Sequence, residues 1–185
     1  MSEPVWQLKK TVVLVGMMGS GKTAVGKALA GLLDVAFLDS DAEIEAAANM
    51  SIAEIFSRDG EPFFRDRETQ VITRLLGETP SILSAGGGAF VARRNRDLIA
   101  QQGVSVWLKA DLDLLWNRVR HKDTRPLLRT PDPKATLAAL YQERLPVYRM
   151  ADLGVEARAE YTVETMAAHV LDALKTRPDV LELSR

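Results

Sequence analysis

Two periodicities alternate along this chain. Short apolar, β-branched runs at residues 11–15, 35–38, 81–84, 104–108 and 152–155 read as buried strands. Between them, apolar positions recur at helical spacing. Val25, Leu29, Leu32 and Leu33 mark a helix over 24–33. Phe64, Val71, Ile72, Leu75 and Leu76 form one stripe; Leu112, Leu115 and Val119 form another within 111–120. Residues 93–102 read as a polar helix, 134–149 as a helix with Leu137, Leu140 and Tyr141 on one face, and 162–174 as the closing helix. Pro146 must end or kink the fifth of these, because its ring clashes with an earlier carbonyl. Strands alternating with helices in this way predict an α/β fold with a parallel sheet.

Residues 42–76 read as entirely helical, which is more than one crossover needs. Ser40 with Glu43, and Ser51 with Glu54, fit capping boxes; Gly60 punctuates, and Pro62 stands where a new helix can start. We read 42–76 as a small helical substrate-binding insertion within a single domain spanning 1–185. The ten residues before the first strand carry no assigned function, and the tail from Arg177 is expected to fray.

The first strand runs into Gly16-Met17-Met18-Gly19-Ser20-Gly21-Lys22-Thr23, which fits G-x-x-x-x-G-K-[ST]. Strand, glycine loop and helix are in the order a phosphate-binding P-loop requires. Its backbone N–H groups can turn toward phosphate oxygens at a helix N-terminus that carries partial positive charge. The expected nucleotide contacts are Gly19, Ser20, Gly21, Lys22, Thr23 and Ala24. Lys22 would serve the β- and γ-phosphates, and the Thr23 hydroxyl would ligate Mg²⁺, so ATP with Mg²⁺ is the expected nucleotide form.

Bulk composition narrows the class. With 185 residues the chain can bury a core without staples. The formal net charge of −1 argues against a nucleic-acid partner. Cysteine is absent, so neither disulfides nor cysteine metal sites arise. The first ten residues lack a secretory pattern and no apolar run reaches membrane-spanning length, so a cytoplasmic protein without a membrane partner is expected. His121 and His169 share no metal-ligand spacing, and His169 reads as structural.

Three further stretches carry candidate chemistry. Asp39 and Asp41 follow the second strand, where open α/β sheets bind ligands, although helix capping by Ser40 can account for part of this pattern. Gly86-Gly87-Gly88 follows the third strand and allows close approach of an anion such as a carboxylate. Residues 118–132 are basic and broken by proline, either an ordinary solvated loop or a mobile lid that brings arginine over the phosphates. Arg65, Arg67 and Glu68 lie on a predicted helix, where a solvated face is the ordinary expectation for an arginine.

Taken together, these motifs resemble the shikimate kinase family over nearly the whole chain. The resemblance rests on the P-loop, Leu38-Asp39-Ser40-Asp41, Phe64-Arg65, Gly86-Gly87-Gly88, Arg125-Pro126-Leu127-Leu128 and Arg144-Leu145-Pro146-Val147-Tyr148. It implies a nucleoside-monophosphate-kinase-like fold: a five-stranded parallel sheet in the order 2-3-1-4-5 with helices on both faces. It also implies transfer of the ATP γ-phosphoryl group to the 3-hydroxyl of shikimate, in the pathway to chorismate and the aromatic amino acids, by a monomer. By this resemblance Asp41 would bind the shikimate hydroxyls and take the proton of the attacking one. Arg65 and Arg144, with the Gly87 backbone N–H, would hold the substrate carboxylate, a task suited to planar guanidinium groups, and Gly86 and Gly88 would also line the substrate site. Asp39 would act near Mg²⁺, Arg118 would stack on adenine, and Arg125 would reach the phosphates as a catalytic residue beside Lys22 and Asp41.

The chain departs from the family at Glu156-Ala157-Arg158-Ala159-Glu160-Tyr161, where many members carry a basic loop with proline. No base contact can be matched there. Other readings are a gluconate or nucleoside monophosphate kinase, a GTP-binding switch and a nucleic-acid-dependent ATPase. The switch is disfavoured because no Asn-Lys-x-Asp is present.

Overall fold

The computed structural model describes residues 4–121 and 128–184. Five strands form a parallel sheet: β2 (Thr11–Val15), β3 (Phe37–Asp39), β4 (Ile82–Ser84), β5 (Gly103–Lys109) and β6 (Leu153–Glu156). Their order is β3-β4-β2-β5-β6, the 2-3-1-4-5 arrangement when counting starts at Thr11. Val12 pairs with Ile82 on one side and with Val104 on the other. Every residue of β2 is at most 2% exposed. Side chains alternate between the faces of a strand, so both faces of the central strand are covered.

The helices are α1 (Lys22–Leu33), α2 (Ser40–Ala48), α3 (Ile52–Asp59), α4 (Glu61–Leu76), α5 (Arg93–Gln102), α6 (Leu112–Val119), α7 (Pro133–Tyr148) and α8 (Val163–Leu174). Helix α1 packs on α8, α4 on both α2 and α3, and α6 on α7. The predicted helical stretch 42–76 is thus α2, α3 and α4 in succession. Ser51 caps α3 by accepting from the Glu54 N–H at 3.2 Å, and Pro62 lies in the first turn of α4.

Two expectations require correction. The tail does not fray: β7 (Leu181–Leu183) pairs antiparallel with β1 (Trp6–Leu8), tying the two ends of the chain together. Val180 and Leu181 are 0% and 2% exposed, so apolar burial holds this ribbon in place. The cap of α2 is Asp39 rather than Ser40. Its Oδ1 accepts from the N–H groups of Asp41 at 2.9 Å and Ala42 at 3.1 Å, satisfying donors that a helix start leaves free. Helix α7 keeps the expected span, running from Pro133 through Pro146 to Tyr148. Proline there removes one N–H near the helix end, while Arg149 N–H still reaches the Leu145 carbonyl at 3.1 Å. Arg125, and with it the middle of the expected lid, lies outside the described residues.

Candidate active site

The strands deliver their C-terminal ends to one cleft of about 820 Å³. On one side is the loop between β2 and α1. Gly21 caps α1 with φ +96°, a left-handed conformation that favours glycine, and no side chain caps the helix. The first-turn N–H groups are therefore not taken up by a side-chain cap and can donate to an anion. Lys22 Nζ donates to the Gly16 carbonyl at 2.7 Å and the Met17 carbonyl at 3.3 Å. Arg118, at the end of α6, donates from Nη1 to the Gly19 carbonyl at 3.0 Å, and burial lowers its pKa. The Ser20 hydroxyl is buried without a hydrogen-bond partner among the described residues, a polar atom left over inside the loop.

Opposite lies the start of α2. Asp39 and Asp41 both line the cleft. Burial raises the Asp41 pKa and the neighbouring Asp39 charge raises it further; Lys22 and Arg65 pull it back. The result is a carboxylate more basic than one in water, beside the loop that would hold phosphate.

The loop after β4 explains its own three glycines. A Cβ on Gly86 would sit 2.5 Å from Asp41 Oδ1, one on Gly87 would sit 3.0 Å from Arg144 Nη1, and one on Gly88 would sit 2.6 Å from Arg65 Nη2. Each glycine makes room for one charged side chain, and the three come from three different helices. The backbone is thereby close enough for its N–H groups to share a ligand with those side chains.

Arg65 is held by Glu68, its neighbour on α4, for which the sequence suggested no role of its own. Its Nη1 donates to Glu68 Oε1 at 3.0 Å and Oε2 at 3.2 Å, while Glu61 lies 3.5 Å from Nε. The Glu68 side chain is only 1% exposed. Burial raises its pKa and Arg65 lowers it again. The i,i+3 spacing of Arg65 and Glu68 was the available signal. Arg67 instead faces outward, bonding Gln70 at 2.8 Å and lying 4.8 Å from the Phe63 ring centroid.

All described members of the expected site line this cleft: Gly19, Ser20, Gly21, Lys22, Thr23, Ala24, Asp39, Asp41, Arg65, Gly86, Gly87, Gly88, Arg118 and Arg144. Ile52, Phe56 and Phe64 add an apolar wall from the helical insertion. The segment after β6 also reaches the cleft through Ala157, Arg158, Tyr161, Thr162, Val163 and Met166, which periodicity alone had not placed there. His169, outside the cleft, packs its ring on Tyr161 at 4.8 Å. Among the described residues no group of three histidine or acidic side chains surrounds a metal position. The donors that do face the cleft, a threonine hydroxyl and a carboxylate, are hard oxygens that suit Mg²⁺ completing its shell with phosphate and water.

The family model for shikimate kinase matches residues 18–175. The chain belongs to the shikimate kinase family. Among its relatives, the shikimate kinase of Ruegeria pomeroyi is 68% identical over 96% of this chain and 91% of that protein. The shikimate kinase of Cereibacter sphaeroides is 69% identical, over 95% and 88% respectively. The structure of the Acinetobacter baumannii shikimate kinase in complex with shikimate superposes with a TM-score of 0.84 at 37% identity, covering 90% of this chain and 93% of that one. A Sinorhizobium meliloti gluconokinase, at 18% identity and a TM-score of 0.62, shares the fold. The loop between β2 and α1 thus faces the glycine loop after β4 across one cleft.

Proposed function

We propose that this cleft transfers the γ-phosphoryl group of ATP to the 3-hydroxyl of shikimate, giving shikimate 3-phosphate and ADP. The observation that carries this reading is the convergence of Asp41, Arg144 and Arg65 on the three glycines, across from the P-loop. Arg65, Arg144 and the loop N–H groups hold the acceptor carboxylate. Asp41 binds its hydroxyls and takes the proton of the attacking one. Its raised pKa brings it nearer to neutral pH, where a general base works best.

The acceptor oxygen forms the new bond to the γ-phosphorus as the bond to the β–γ bridging oxygen breaks, and the electron pair leaves with ADP. Lys22, now resting on P-loop carbonyls, moves to the phosphates and follows the charge. Thr23 and Asp39 are the residues that would hold Mg²⁺; the chemistry it supplies there is neutralisation of charge on the phosphoryl oxygens. Arg118 lines the adenine side. We assign the stretch 118–132 as a lid that brings Arg125 to the phosphates and excludes water, whose attack would waste ATP. The insertion 42–76 supplies the acceptor side of the cleft.

Among the described residues no helix is long and apolar enough to cross a membrane. We assign the enzyme to the cytoplasm as a monomer. Product analysis tests the reaction: ³¹P spectra of the mixture should show one shikimate 3-phosphate formed for each ADP. Inorganic phosphate as the sole second product would refute it.

A further inference from the structure

The loop at Gly86–Gly88 leaves little of its backbone uncommitted. The Gly86 N–H donates to Ser40 Oγ at 2.9 Å. The Gly86 carbonyl accepts from the Ala89 N–H at 3.0 Å, and the Gly88 carbonyl from the Val91 N–H at 3.2 Å. The Gly87 carbonyl accepts from the Tyr148 hydroxyl at 3.0 Å. Among the described residues, only the N–H groups of Gly87 and Gly88 are left without a partner in this loop. Those are the donors an anion would meet.

We propose that Tyr148 is a positioning residue for the acceptor: by fixing the Gly87 carbonyl it sets the direction of the Gly88 N–H and holds the loop at its distance from Arg144 and Arg65. The peptides here are trans, and a trans peptide points its C=O and N–H in opposite directions. A carbonyl anchored on the Tyr148 side therefore turns the next N–H the other way. The Gly86 carbonyl bond to Ala89 orients the Gly87 N–H by the same geometry.

Tyr148 is well placed to act as a latch. It stands one turn after Arg144 on α7, so the hydroxyl and the guanidinium meet adjacent points of one loop. Its residue surface is 2% exposed, and its ring stacks on Trp107 at 6.2 Å with an interplanar angle of 26°. Phenylalanine would fill the same slot, so packing alone does not call for the hydroxyl. Burial raises the phenol pKa, against a smaller lowering by Arg144, which keeps the group a donor across the working range. The passage of α7 through Pro146 also gains a reason, since the last turn carries the hydroxyl to the loop.

This inference rests on the reading that the loop and its arginines hold a carboxylate. The test compares Tyr148→Phe with the unaltered enzyme, using shikimate and its uncharged methyl ester. Loss of the hydroxyl, which holds the Gly87 carbonyl and lies against Arg144, should raise the shikimate KM about three- to tenfold. The ATP KM and the melting temperature should stay near their original values, and the KM for the ester should barely change. Equal KM values for shikimate in both proteins, or parallel losses for ATP, ester and melting temperature, would overturn the latch. If the unaltered enzyme fails to distinguish shikimate from its ester, the carboxylate reading fails instead. Should Tyr148→Phe not fold, NMR of the unaltered enzyme with ¹³Cζ-labelled tyrosine decides. A slowly exchanging Tyr148 hydroxyl proton that shifts when shikimate binds supports the latch; rapid exchange without response refutes it.

Discussion

Replacing Gly88 by alanine separates fold from function. Gly88 has φ −97° and ψ −4°, a conformation alanine adopts without strain. The added methyl would stand 2.6 Å from Arg65 Nη2 and 2.8 Å from Nη1. Ordinary carbon contacts begin near about 3.5 Å, so the guanidinium must retreat by roughly 1 Å. Arg65 is long and its head is movable, so the fold tolerates the shift. Its alignment with the acceptor does not. A misplacement of about 1 Å can cost about a hundredfold, equivalent to roughly 2.7 kcal/mol. The shikimate KM should therefore rise ten- to a hundredfold, on the order of 1.4–2.7 kcal/mol. The melting temperature should hold or rise slightly, because alanine restricts the unfolded chain. A coupled assay of ADP release against shikimate concentration, beside a thermal melt, measures both. An unchanged shikimate KM would show that the glycine is not there to admit Arg65.

The other predictions are brief. Asp41→Asn should lower kcat by about 10²- to 10⁴-fold with the ATP KM preserved; unchanged turnover at saturating shikimate would remove Asp41 as the base. The same variant should melt higher at pH 7. The folded chain holds the Asp41 proton more tightly than an unfolded carboxyl titrating near 3.8, so stability falls as pH rises above that value. The gain from asparagine should vanish below pH 3.8, where both states are protonated; a gain independent of pH would contradict the cause given. Arg65→Ala should weaken shikimate binding by about 2–5 kcal/mol if its pairing with the carboxylate is desolvated, measured by calorimetry; wild-type affinity would take Arg65 out of the site. Ending the chain at Arg177 exposes the core around Val180 and Leu181, at about 3–6 kcal/mol. Its melting temperature should drop by roughly 10–20 °C while the shikimate KM measured in the cold stays unchanged.

Much of the site was legible because its signals are local. The P-loop occupies eight successive residues, and Asp39 and Asp41 follow a strand whose apolar run is plain. What the sequence concealed depends on contacts between distant segments. Leu181–Leu183 reads as part of a fraying tail until Trp6–Leu8 supplies its partner strand. Ser40 scores as a cap by residue type, yet its hydroxyl is committed to the Gly86 N–H at 2.9 Å, while Asp39 takes the cap. The three glycines read as room for a ligand. That each also admits a particular charged side chain follows only once α2, α4 and α7 converge on them. Glu68 reads as an ordinary helix-surface acid, and only burial reveals it as the support of Arg65.

The same features link stability to chemistry. Asp41 and Glu68 both have pKa values raised by burial, so the ionised forms that the proposed reaction would use are costly to fold around. The ribbon of β1 and β7 and the covered central strand offset that cost away from the cleft.

The most direct test of the account is ADP release from Mg·ATP with shikimate, gluconate, a nucleoside monophosphate or no acceptor. The account expects release that depends on shikimate alone. Release with gluconate or a nucleotide in its place would leave the phosphate loop standing and contradict the acceptor site. Release without any acceptor would contradict phosphoryl transfer to a small molecule altogether.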